Sequence, residues 1–149
     1  MKLKQKIYHH YRQVIQDKVN MLQKLLNDLK ESGANETKST AGDKHETALA
    51  MLQIEQANTR AQLQELLNQQ AALAKINPEL SADMVLNGSL IKTNRGYLFM
   101  SVALGKAVVE DIAVIALSPQ SPLGQQLMGL KRSEMVVVNN VEYIIEFIE

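Results

Sequence analysis

The sequence predicts an α+β fold: an N-terminal antiparallel two-helix coiled-coil hairpin, then a small antiparallel sheet domain carrying one short helix. Three observations carry that expectation. Apolar residues recur at three- and four-residue spacing through the first half, and no Gly or Pro occurs between Met1 and Ser32. A polar stretch, Glu31 to Gly42, then interrupts the periodicity with two glycines. After Pro78 the pattern changes to short runs of Val, Ile, Leu and Met separated by turn residues. The expected boundaries are 1–76 for the hairpin arm, with its tip near 33–46, and 77–149 for the sheet domain.

The first helix is carried by Ile7, Tyr11, Val14, Met21, Leu22, Leu25, Leu26 and Leu29. The second, from about Asp43 to Ile76, is carried by Leu49, Leu52, Leu63, Leu66, Leu67 and Leu73; Gln56, Thr59 and Gln70 interrupt its stripe. Roughly 30 residues per helix at a rise of about 1.5 Å give an arm about 45 Å long. Pro78 stops the second helix, because the residue before a proline is pushed out of the helical region. Strand patterns follow at Met84–Thr93, Tyr97–Val102, Ile112–Leu117, Glu134–Val138 and Val141–Ile148. Asn94-Arg95-Gly96 reads as a hairpin turn, and Asn139-Asn140 as a two-residue turn, since Asn tolerates positive φ. Between Ser121 and Gly129 one short helix is expected: Ser at the cap, Pro in the first turn, Gly at the end.

Composition excludes several classes. The 149 residues contain no Cys, which removes disulfides, thiolate metal sites and thiol nucleophiles. Aromatics are 4%, too few for a base-stacking surface. No nucleophile elbow, phosphate-binding glycine loop or His-Glu-x-x-His occurs. No signal peptide and no membrane span are visible, so a soluble, cytoplasmic protein is expected. Net charge is zero but uneven: the first 30 residues are basic and the stretch after Asn77 acidic. Lys2, Lys4, Lys6 and Arg12 form a basic surface at the base of the arm. It either faces a polyanion or is an ordinary solvated helix face.

The sharpest local motif is Gly42-Asp43-Lys44-His45-Glu46. Asp43 and Glu46 stand three apart at a helix start and so share a face. Two carboxylates there suit a hard cation such as Mg²⁺. The same spacing is that of a capping box, worth about 1 kcal/mol. His45 lies between them, while His9 and His10 are adjacent and diverge by about 100°, so they make no chelating pair.

Three motifs in order resemble the Gre transcript-cleavage factors of bacterial RNA polymerase, and the resemblance covers most of the chain. Gly42-Asp43 with Glu46 matches the family's tip pattern. Ser121-Pro122-Leu123-Gly124 running to Leu127-Met128-Gly129 matches the stretch of its second domain. Glu142-Tyr143-Ile144-Ile145 matches its last strand. The resemblance implies that the sheet domain is FKBP-like and docks, near Ser121, Pro122, Leu123 and Gly124, on the rim of the polymerase's secondary channel. The arm would enter that channel as a monomer. Asp43 and Glu46 would hold a Mg²⁺ jointly with the polymerase near the 3′ end of the nascent RNA. The protein would then be no enzyme itself but would stimulate the polymerase's own cleavage of backtracked RNA. Transcription elongation, polymerase binding and DNA binding go with the resemblance. Where the family has Asn and then Ala-Glu-Tyr after the tip Glu, this chain has Thr47-Ala48-Leu49, and it places Lys44 and His45 between the carboxylates. Those departures fit a channel-binding regulator that does not promote cleavage. A coiled-coil interaction module is the third reading. Prolyl isomerase activity is the fourth, opposed by the few aromatics of the sheet domain: Tyr97, Phe99, Tyr143 and Phe147.

Overall fold

A computed structural model of the chain describes residues 1–36 and 43–149, with the side chains of 35, 36 and 43–45 left aside. Two long helices, α1 (Leu3–Glu36) and α2 (Asp43–Ala74), are followed by β1 (Leu90–Thr93), β2 (Gly96–Met100), β3 (Gly105–Val109), β4 (Ile112–Leu117), α3 (Pro122–Leu127), β5 (Met135–Val138) and β6 (Val141–Ile148). The architecture is α+β. By compactness the chain divides into a unit of residues 14–70 and a unit formed by 1–13 together with 71–149. The composition shift near Pro78 does not mark this division. The ends of both helices carry apolar residues that pack with the sheet.

In the unit 14–70 the two helices pack antiparallel. Ile15, Val19, Leu22, Leu26 and Leu29 of α1 are buried. On α2, Leu52, Gln56, Thr59, Leu63, Leu66 and Gln70 fall four and three residues apart in strict alternation, the seam spacing of a coiled coil. The polar seam positions are satisfied. Gln56 Nε2 donates to the Leu29 carbonyl at 3.1 Å, and Gln70 Nε2 donates to Gln16 Oε1 at 3.0 Å. Thr59 Oγ1 turns back to the Glu55 carbonyl at 2.8 Å. The two crossing bonds pair early α1 with late α2 and late α1 with earlier α2, which fixes the register.

In the other unit, six strands run in the order β3-β4-β2-β1-β6-β5. Four of the pairings are antiparallel, so the sheet is mostly antiparallel as expected; β2 and β4 alone among these pairings run parallel. The reason is the β3–β4 hairpin, whose second strand lies against β2 and leaves β3 at the edge. That hairpin turns through Glu110 and Asp111, both at positive φ (52° and 63°). β5 and β6 turn through Asn139 and Asn140, at 51° and 63°, as their identity predicts. The expected strand from Met84 shortens to β1, because Val85 enters the core from a loop and Gly88 adopts φ 95°.

Two apolar layers flank the sheet. On one face Val85, Ile91, Leu98, Met100, Leu117 and Ile145 close around Leu127 of α3. On the other, Tyr11 stacks on Phe99 with ring centroids 6.2 Å apart, alongside buried Ile7, Tyr8, Leu73 and Ile76. At roughly 25 cal/mol per Å² of apolar area, each such side chain contributes about 1.5–3 kcal/mol of burial. No helix of the described residues is long and apolar enough to cross a membrane.

Candidate functional site

Two places carry the residues that the sequence singles out. The first is the turn into α3. Ser121 caps the helix: its Oγ accepts from the Gly124 N–H at 3.0 Å and donates to the Ser118 carbonyl at 2.7 Å. Pro122 opens the helix, where its missing N–H costs nothing. Gly124 is buried, and a Cβ there would stand 2.1 Å from the Ser118 carbonyl oxygen. The turn therefore needs this Ser and this Gly for its own shape. It also forms one wall of a groove of about 390 Å³. Ser121, Pro122 and Leu123 line that groove with Leu98, Ile115 and Tyr143; Gly124 does not.

Arg95 lies at the same groove. Its Nε donates to the Glu142 carbonyl at 3.3 Å, which also accepts from Asn94 Nδ2 at 3.2 Å. Asn94 Oδ1 in turn accepts from the Ile144 N–H at 2.8 Å, so the β1–β2 turn is tied to β6 by side-chain bonds. In sequence Arg95 is visible only as a turn residue; nothing in its neighbours signals a groove, which is assembled from β2, β4, β5, β6 and the α3 turn.

The second place is the start of α2. Asp43 opens the helix and Glu46, one turn on, is exposed. The side chains of Asp43, Lys44 and His45, and the segment 37–42 with Gly42, lie outside the described residues, and so does the capping box itself. Among the described residues no cluster of three His, Asp or Glu forms a metal site. Two carboxylates on one helix face supply at most part of the oxygen shell that Mg²⁺ requires.

The four basic residues separate. Lys2 is exposed. Lys6 Nζ pairs with Glu110 Oε1 at 2.9 Å, both side chains being open to solvent. Arg12 lies 5.8 Å over the Tyr8 ring. Lys4 does not belong to the basic surface: it is 5% exposed, and its Nζ donates to the Leu80 carbonyl. Burial pulls its pKa down, Glu149 pulls it up and Lys2 pulls it down further. Its position explains the correction. Lys4, Tyr8, Tyr11 and Ile15 share one helical stripe, so its stem follows the apolar face.

Comparison of the chain with family models, with curated proteins and with solved structures finds no match.

Proposed function

We propose that this protein is a Gre-type elongation factor. In this reading it binds RNA polymerase at the secondary channel and stimulates cleavage of backtracked RNA. The observation that carries the reading is the hairpin: helices of 34 and 32 residues, seamed antiparallel, with Glu46 exposed in the first turn of the second. Within residues 14–70 these helices run for roughly 35–40 Å at about 1.5 Å per residue, a length with little use in a self-contained enzyme of this size. The FKBP-like character of the sheet unit, the docking role of Ser121 to Gly124 and the cytoplasmic location belong to the same proposal.

Asp43 and Glu46 are the residues that would hold the ion. Bound jointly with the polymerase, Mg²⁺ supplies Lewis-acid activation of the water that cleaves the RNA. The chain's own part would be to deliver two carboxylates on one helix face. Lys2 and Arg12, both exposed, would make sequence-independent contact with polymerase or nucleic acid, while Lys6 is already paired with Glu110.

The test is RNA cleavage in a stalled, backtracked elongation complex, comparing the wild type with an Asp43→Ala, Glu46→Ala double variant. Cleavage that the wild type stimulates and the variant does not is the expected result. Intact polymerase binding without stimulation establishes instead a channel-occupying regulator, the reading that Lys44, His45 and Thr47-Ala48-Leu49 favour. Failure to bind core polymerase ends both.

A further inference from the structure

We propose that the cavity between the first turn of α1, the segment 78–81 and the end of β6 binds a small zwitterion, a free α-amino acid with an apolar side chain. The cavity holds about 420 Å³, the size of a small-molecule pocket. Two groups in its wall keep unspent hydrogen-bonding capacity. The Lys4 ammonium is buried and carries three N–H donors; it spends one, on the Leu80 carbonyl. Glu149 Oε2 is buried and accepts no hydrogen bond among the described residues. The two groups act on one another through space, yet no ion pair within 4.0 Å joins them. A group that accepts from one and donates to the other bridges such a gap. A lysine on an apolar helical stripe is costly to bury unless its charge is used.

Charge and lining choose the ligand. Lys2 and Lys4 line the cavity together with Glu79 and Glu149, so the two signs balance. A simple anion would meet two carboxylates, and a simple cation two ammonium groups. A zwitterion satisfies both signs: its carboxylate accepts from Lys4 and its ammonium donates to Glu149 Oε2, each bond charge-assisted. The rest of the wall is largely apolar, with Leu3, Pro78, Leu80, Phe147 and Ile148. Leu80 is 66% exposed and Phe147 46%, and an aliphatic side chain lying on them takes that apolar area out of water. All these residues belong to the unit formed by 1–13 and 71–149. The site uses neither Asp43 and Glu46 nor the α3 turn, so the inference does not rest on the polymerase reading.

The test follows amide chemical shifts of the isotope-labelled full chain with three probes of one shape. These are L-leucine, isoamylamine, which lacks the carboxylate, and 4-methylpentanoate, which lacks the ammonium. L-leucine should shift the amides of Lys4, Leu80 and Glu149 saturably. Each single-charge analogue should bind about tenfold more weakly, the worth of one charge-assisted hydrogen bond. Glu149→Gln, at a half-exposed position, should erase leucine's advantage over 4-methylpentanoate and keep its advantage over isoamylamine. Lys4→Met should do the reverse; if that variant does not fold, the three probes and Glu149→Gln decide alone. No saturable shift with L-leucine, equal binding of the three probes, or tighter binding of either analogue would overturn the proposal. So would an advantage over 4-methylpentanoate that survives Glu149→Gln. Loss of polymerase binding with leucine discrimination intact would sink the elongation-factor reading alone.

Discussion

The Tyr11 hydroxyl donates to the Gly105 carbonyl oxygen at 2.7 Å, a bond from the first turns of α1 to the start of β3. The Val114 carbonyl lies 3.2 Å from the same oxygen and competes for its one proton. Tyr11 is 1% exposed and stacked on Phe99. It therefore joins apolar burial to one directed bond. Tyr11→Phe keeps the ring and deletes the bond, at an expected cost of about 1–2 kcal/mol in denaturant unfolding. Tyr11→Ala also empties the space and should cost about 3–5 kcal/mol. By contrast Lys6→Ala, which breaks the exposed pair with Glu110, should change stability by less than about 1 kcal/mol.

The same residue sets an alkaline limit. Burial pushes the Tyr11 hydroxyl from its usual value near 10 up to about 12. A group whose folded pKa is raised contributes its full stability below the unfolded value and loses it as pH rises through the folded one. Wild-type stability should therefore fall between pH 10 and pH 12 by an amount on the order of 2–3 kcal/mol. Tyr11→Phe should show a shallower fall over that window. Parallel slopes in pH-dependent unfolding would contradict the assignment.

At the α3 turn, Gly124→Ala should destabilise more than Ser121→Ala. Losing the Ser121 cap costs about 1 kcal/mol. The alanine methyl would meet the Ser118 carbonyl at 2.1 Å, a backbone atom that cannot swing aside, so a penalty of about 1–3 kcal/mol or more is expected. Thermal melting of the two variants gives the order directly.

The seam glutamines predict the opposite sign. Gln56→Leu restores the apolar stripe and should stabilise residues 14–70 by about 1 kcal/mol, because a polar seam residue trades stability for register. The gain should come with looser register, seen as broadened amide signals along α2 or as self-association in sedimentation. A destabilised, well-ordered variant would show that the Leu29 carbonyl needs its donor.

Millimolar Mg²⁺ should leave the melting temperature of the isolated chain unchanged, since two carboxylates complete no coordination shell. A rise of several degrees would mean that the protein holds the ion alone.

Much of this fold was legible in the sequence, for stated reasons. The Asn139-Asn140 turn announces itself because Asn tolerates positive φ. Glu110-Asp111 makes a similar turn, but Glu seldom adopts positive φ, so the pair does not announce a turn and neither β3 nor its parallel consequence for β2 and β4 is visible in the sequence. Gln56 and Gln70 are visible as breaks in a stripe, whereas the bonds they make across the hairpin need the partner helix to be placed. Lys4 misled through its charge, although its spacing from Tyr8 and Tyr11 put it on the buried stripe. Arg95 could not be found, because its groove gathers residues from four strands and a turn.

The division of the chain bears on how it is made. Residues 14–70 are contiguous and can close their seam as they leave the ribosome, where local contacts form first. Residues 1–13 belong with a sheet that is not complete until β6 has been synthesised. Until the sheet is made, Ile7, Tyr8 and Tyr11 thus stand without their partners, an apolar strip on the nascent chain. The first turns of α1 are among the last to be locked, and a ribosome stalled before β4 would display that strip to any chaperone at the exit.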